Sequence, residues 1–262
     1  MRQLLKPLAV LLIAGLAITS CKKDATAPLQ NEISDETLTK IYNHGFGTSN
    51  VQKVEEGYLV EGDIILTEEF LNSAPGGNLL RIANNEQYHT TNLVTGLPRV
   101  ITVSSSGSVS SGLSSAIDGA IERYNAQNLN ITMQRVAGGG DINIKIVNGG
   151  PYIASAGFPT GGNPYGTVKF NKQYQNWSSN SLITIFAHEI GHCIGFRHTD
   201  YMDRSFSCGG AASNEGASSV GAIHIPGTAT GPDSGSWMLA CIGNGVNRPF
   251  NSNDRTALSY LY

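Results

Sequence analysis

Three histidines and a glutamate stand close together in one run, His188-Glu189-Ile190-Gly191-His192-Cys193-Ile194-Gly195-Phe196-Arg197-His198. It reads H-E-x-x-H-x-x-G-x-x-H. On a helix, His188 and His192 sit about 40° apart around the axis and about 6 Å apart along it. Two imidazoles at that spacing can both reach one zinc ion. Glu189 lies about 100° further round, near enough to hold a water against the metal without ligating it. Gly195 can take the left-handed conformation that ends a helix, so the chain can turn back and bring His198 in as a third ligand. Three histidines leave the fourth zinc position open, which suits catalysis and not a structural site. Five such fixed residues coincide by chance in roughly one chain in 10^5 of this length.

The neighbouring residues fit a helix that carries these ligands. Residues 182–186, Leu-Ile-Thr-Ile-Phe, form an apolar run that would bury it, and the serines at 178–181 offer an N-cap. Gly191 costs about 1 kcal/mol against alanine inside a helix, which is consistent with close backbone packing beneath the metal. His224 reads as a surface histidine and not as a fourth ligand.

The pattern resembles the metzincin zinc peptidases, and the string His-Glu-Ile-Gly-His resembles the bacterial HEIGH metallopeptidases. The resemblance implies an α+β fold: a twisted mixed sheet, an active-site helix and a C-terminal subdomain with a methionine turn. Ser236-Trp237-Met238 is the candidate for that turn. The astacin branch has a tyrosine two residues beyond the methionine; Ala240 stands there, so no tyrosine is expected to swing onto the metal.

Hydrophobic residues make up 40% of the 262 and charged residues 14%, enough apolar material for a core. The formal net charge is −3, which gives no electrostatic case for nucleic acid or anionic membranes. The N-terminus reads as a leader. Arg2 and Lys6 precede an apolar stretch at 8–18 that is too short to span a bilayer comfortably. Leu16-Ala17-Ile18-Thr19-Ser20-Cys21 resembles a bacterial lipoprotein cleavage site, which implies a chain lipidated at Cys21 and anchored in the cell envelope. Cys193, Cys208 and Cys241 then remain. Cys208 and Cys241 bracket a glycine- and serine-rich segment, and a bridge there would contribute roughly 3–4 kcal/mol. Cys193 reads as a small core residue, with Cys193–Cys241 as the alternative pairing.

Taken in order, residues 1–20 are a signal peptide, 21–31 a polar tether, 32–86 a small α/β N-terminal unit and 87–262 the zinc peptidase domain. In the N-terminal unit a helix starts at Ser34, residues 51–66 form a two-stranded hairpin about Gly57, and a helix opens after Thr67. In the main domain, residues 99–103 form a strand, 104–111 a serine-glycine loop and 114–127 an amphipathic helix. Strands at 131–136 and 142–147 are separated by a glycine turn. Residues 154–171 read as a hairpin; by the metzincin resemblance they carry the sheet's edge strand above the cleft, where an extended peptide could pair antiparallel. Residues 199–235 shape the cleft, with Asp200 either pinning the turn after His198 or lying on the surface. A last helix at 253–261 is capped by Asn251 or Ser252.

The reading is a zinc endopeptidase, expected to be a monomer, acting on protein or peptide substrates. Glu189 moves the proton, and His188, His192 and His198 hold the metal. The alternatives are an adhesion lipoprotein with an inert zinc site and a zinc hydrolase of non-peptide amides or esters. Val60-Glu61-Gly62-Asp63 resembles the F-x-G-D segment of astacin-type propeptides, with Val60 in place of the aromatic residue. That resemblance implies a latency switch in which Asp63 takes the open zinc position; otherwise Gly62-Asp63 is a turn in a separate unit.

Overall fold

Short apolar runs broken by glycine and asparagine turns give a mixed α+β architecture. The computed structural model describes residues 33–74, 87–212, 214, 222–229 and 233–262, so the leader and Cys21 lie outside the described residues. Ile33–Tyr262 is one compact unit. No helix among the described residues is long and apolar enough to cross a membrane.

Helix α1 (Asp35–Asn43) is capped by Ser34, whose Oγ accepts from the Thr37 N–H at 3.2 Å. Strands β1 (Gln52–Val54), β2 (Gly57–Val60) and β3 (Ile64–Leu66) form an antiparallel meander. The expected two-stranded hairpin is therefore one strand short. Its second apolar run breaks at Glu61 and Gly62, both at positive φ (55° and 92°), so Val60 and Ile64 fall on different strands. Helix α2 (Glu68–Asn72), capped by Thr67, closes the segment. A small core gathers Ile41, Phe46, Val60, Ile64 and Phe70 from this segment, with Phe158 from further along the chain.

The chain continues through β4 (Tyr88–His89), β5 (Arg99–Ser106), α3 (Ser111–Asn125), β6 (Ile131–Arg135), β7 (Ile142–Val147), β8 (Ala154–Gly157) and β9 (Thr167–Asn171). Then come α4 (Ser179–Cys193), α5 (Ser205–Cys208), β10 (Ile223–His224) and α6 (Ser252–Leu261). Among the described residues an eight-stranded sheet has the order β1-β2-β3-β8-β9-β7-β5-β6. The loop expected from Ser104 onward starts later: Ser104, Ser105 and Ser106 stay in β5, paired in parallel with Asn143, Ile144 and Lys145. Ladder hydrogen bonds come from the backbone, so weak strand formers are carried where a neighbour supplies the partners. β5 lies between β6 and β7 and is parallel to both.

Two features position the site. The first is the main core, in which α3 and α4 pack with the sheet through Ile101, Leu113, Ile117, Phe170, Phe186 and Trp237. The second is the covering of β8. It pairs antiparallel with β9 on one side and parallel with β3 on the other, Ile64 opposite Ala156 and Ile65 opposite Gly157. The strand read as the sheet's edge is thus covered by the chain's own N-terminal segment.

Candidate metal centre

Helix α4 starts at Ser178, whose Oγ accepts from the Ser181 N–H at 3.2 Å. Leu182, Ile185, Phe186 and Ile190 are buried, and the Tyr124 hydroxyl donates to the Ala187 carbonyl at 2.7 Å. Gly191 faces the turn that holds Trp237 and Met238. A Cβ there would come within 2.6 Å of the Met238 sulfur and 3.1 Å of the Trp237 indole nitrogen. Only glycine lets the helix rest this close to that turn. Gly195, at φ 112°, ends the helical path. Past it, the Arg197 N–H donates to the Tyr88 carbonyl and the Thr199 N–H to the Met238 carbonyl, at 2.9 and 3.0 Å. These bonds bring His198 back over the helix.

The three imidazoles converge. The Nε2 atoms of His188 and His192 are 3.0 Å apart, and those of His192 and His198 are 3.3 Å apart. On His188 and His192 the other ring nitrogen faces a carbonyl: His188 Nδ1 lies 2.9 Å from the Trp237 oxygen and His192 Nδ1 2.8 Å from the Phe196 oxygen. A carbonyl only accepts, so both Nδ1 atoms carry the proton and both Nε2 lone pairs point inward. Three nitrogens bound to zinc at 2.0–2.1 Å in a tetrahedral arrangement stand about 3.3–3.4 Å apart, close to the separations found here. Burial first, then repulsion from His188 and His198, holds His192 well below its ordinary range, which keeps it the neutral ligand that a metal needs.

Two carboxylates reach the same place. Glu189 is buried, and its Oε2 has no hydrogen-bond partner among the described residues. Burial, reinforced by the nearby Asp63 charge, pushes it well above the usual carboxylate range. Asp63 sits on the turn between β2 and β3, with its Oδ2 3.2 Å from His198 Nε2 and 3.7 Å from His188 Nε2. Burial alone would raise Asp63, but the histidines outweigh it through charge and hydrogen bonds and hold the carboxyl below its ordinary range. One ligand atom from each of Asp63, His188, His192 and His198 lies within 4.8 Å of the others. The donor set fits zinc.

Other residues singled out by the sequence fall as follows. Met238 is buried in the turn under the helix. Asp200 is buried and accepts from the Ala240 N–H at 2.9 Å and from the Ser207 hydroxyl, tying the turn after His198 to the chain beyond Met238. Cys208 and Cys241 are joined in a disulfide, while Cys193 is buried and free. His224 lies on β10, paired with β4 and outside the histidine cluster.

Sequence reasoning missed the partner of Arg197. This side chain, fully buried inside the motif, donates to the Glu61 carboxylate and, at 3.0 Å, to the Gly45 carbonyl. Its guanidinium lies 4.3 Å from the Phe46 ring centroid. Glu61 and Arg197 are 136 positions apart, and no local pattern links them. Gln87 was also missed as a contact: its amide donates to Asp254 at 2.6 Å and Ser236 at 3.1 Å, fastening the chain just before β4 to α6.

Imidazole nitrogens facing one another without protons between them repel unless a cation draws them together. With a buried glutamate alongside, on a mixed α+β fold, the class is a zinc-dependent metallopeptidase. The model of the dual-action HEIGH metallo-peptidases matches residues 59–262, and the chain belongs to that family. No curated protein matches. Among solved structures it resembles a structure of myroilysin at 18% identity, covering 65% of this chain and 82% of that one with a TM-score of 0.43. A second myroilysin structure matches at 22% identity over 48% of this chain and 54% of that one, with a TM-score of 0.32.

Proposed function

We propose that the protein is a latent endopeptidase, made as an envelope lipoprotein through Cys21, in which His188, His192 and His198 hold the zinc and Asp63 closes the site. When bound, the zinc polarises a scissile carbonyl and lowers the pKa of a water at its open position. Glu189 takes the proton of the attacking water and delivers it to the leaving amine. Its partnerless Oε2, beside the inward-facing imidazoles, is the observation that carries this role. Met238 forms the floor of the centre as a methionine turn, without ligating the metal, a role its packing on Gly191 favours.

Latency is supported by the path of the N-terminal segment. β3 covers β8, and the Ala156 N–H donates to the Asp63 carbonyl at 2.9 Å. The same turn aims the Asp63 carboxylate at the histidines and buries Glu61 against Arg197. Because β3 runs parallel to β8, the segment lies opposite in direction to a substrate paired antiparallel with that strand. A strand of reversed polarity blocks the cleft without presenting its own peptide bond for attack. Removal of the segment frees β8 for an extended peptide.

Casein digestion tests the catalytic assignment. Glu189→Ala should retain zinc by metal analysis and lose cleavage; full activity in that variant would remove Glu189 from the mechanism. For the anchor, Cys21→Ser should leave the membrane fraction. Membrane retention by the variant, with no acyl chain on the wild type by mass spectrometry, would reject lipidation.

A further inference from the structure

We propose that a cavity beside Glu189 is a subsite for an acidic substrate side chain on the C-terminal side of the scissile bond, and that Arg248 recognises it. This rests on the reading above, in which the N-terminal segment leaves and the substrate pairs antiparallel with β8.

The cavity measures about 260 Å³ and opens next to His188 and Glu189. Ile153, Ile185, Leu239 and Ile242 give it apolar walls, and Arg204 and Arg248 bring two guanidinium groups to it. Its carboxylates are Glu189, kept for proton transfer, and Asp63, which departs with the segment. The charge left on the side chains then favours an incoming anion.

Arg248 is held for this task. Its backbone N–H donates to Thr184 on α4 at 3.1 Å, and its carbonyl accepts from Arg123 at 3.0 Å. Nη1 donates to the Cys241 carbonyl at 2.9 Å, on a loop tied down by the Cys208–Cys241 bridge. Among the described residues the side chain stands within 4.0 Å of no carboxylate, Asp200 acting on it only from further off, and its Nε is buried without a hydrogen-bond partner there. A guanidinium so placed has donors to spare for a carboxylate, which it can bind with two parallel hydrogen bonds. Arg204 is the second cation: a Cβ on Gly62 would lie 3.2 Å from its Nη2, so this side chain rests against the segment that covers the site.

Strand polarity assigns the side of the cut. β8 runs from Ala154 to Gly157, and a peptide antiparallel to it travels from the Gly157 end toward the Ala154 end. Pro151, Tyr152, Ile153 and Ala154 line the cavity, so it lies ahead of the substrate's direction of travel. It receives a side chain that follows the scissile bond.

The test uses the zinc-loaded full-length protein after limited proteolysis has relieved latency. Peptides carry Glu, Gln, Leu or Phe at each of the three positions after the scissile bond, and kcat/KM is measured for each. Glu is expected to exceed Gln by tenfold or more at one position. Arg248→Gln should bring that ratio below threefold, Arg248→Lys should retain part of it, and Arg204→Gln should lower it less. Equal use of Glu and Gln, a preference for Leu or Phe over Glu, or an unchanged ratio in Arg248→Gln overturns the assignment. Cleavage-site mapping of a denatured protein digest by the wild type needs no variant to fold, and absence of acidic enrichment after the cut is equally fatal. An acidic preference confined to positions before the cut overturns the strand polarity while leaving the peptidase intact. Absence of any cleavage removes the reading on which the subsite rests, and the subsite with it.

Discussion

Two regions deliver a carboxylate to the same three histidines, and they are built differently. Glu189 arrives on α4, in a helix buried along its length and packed in the main core with Leu113, Phe170, Phe186 and Trp237. Asp63 arrives on a turn between two short strands, backed by a much smaller core that takes Phe158 from the peptidase domain. Phe158 stacks on Phe46, centroids 5.6 Å apart, and meets His192 edge-on at 5.6 Å. The first carboxylate cannot move without unfolding the domain. On the latency proposed above, the second leaves with its segment, and the larger core stays behind. The buried pair Glu61–Arg197 compensates for the small core, because separating it leaves a charge stranded.

The contrast can be broken at either carboxylate. Glu189→Gln should lower kcat on the order of 10^2–10^4-fold while zinc content and folding stay unchanged, read by steady-state kinetics and metal analysis. A variant that loses zinc as well would show that the carboxylate helps to hold the centre.

Glu61→Gln leaves the Arg197 charge buried without its carboxylate, at a cost on the order of 3–5 kcal/mol to docking of the segment. Full-length protein should then show raised basal peptidase activity and faster trimming of the segment by an added protease. Unchanged activity and unchanged protection would mean that the β3–β8 pairing, Asp63 and the aromatic contacts hold the segment without this ion pair.

Loss of the Cys208–Cys241 bridge by double serine substitution should cost about 3–4 kcal/mol on the loop-entropy model, seen as a lower Tm. Zinc should remain, because His188, His192 and His198 all lie outside the bridged segment. Asn251→Ala removes the capping box of α6 and should cost about 1 kcal/mol, without changing release of the segment. An effect of either substitution on segment release would show that the two regions are coupled more closely than their separate cores indicate.

Helical and local features are legible in the sequence, and long-range ones are not. His188 and His192 share a face because of the helical repeat, and the return of His198 follows from Gly195, so the metal set is written within eleven residues. Ser34, Thr67, Ser178 and Asn251 announce helix starts because a side-chain oxygen satisfies a nearby N–H. The extension of β5 through three serines is not legible, since its hydrogen bonds go to β7 some forty residues on. Nor is the third strand of the N-terminal meander, where one apolar run is split by a turn at Glu61 and Gly62. The position of Asp63 beside the histidines is suggested only by resemblance to a propeptide motif. Its support from Glu61, Arg197, Gly45 and Phe46 depends on contacts between distant parts of the chain. Arg248 is an unremarked arginine until the fold brings it to the cavity beside Glu189.

The most direct measurement compares peptidase activity, at equal zinc occupancy, of three proteins: full-length wild type, full-length Asp63→Ala and a chain trimmed to begin near Gln87. If Asp63 closes the centre, the trimmed chain is the most active and full-length Asp63→Ala exceeds full-length wild type. Equal activity of all three contradicts latency and leaves residues 33–74 as a spacer or binding module.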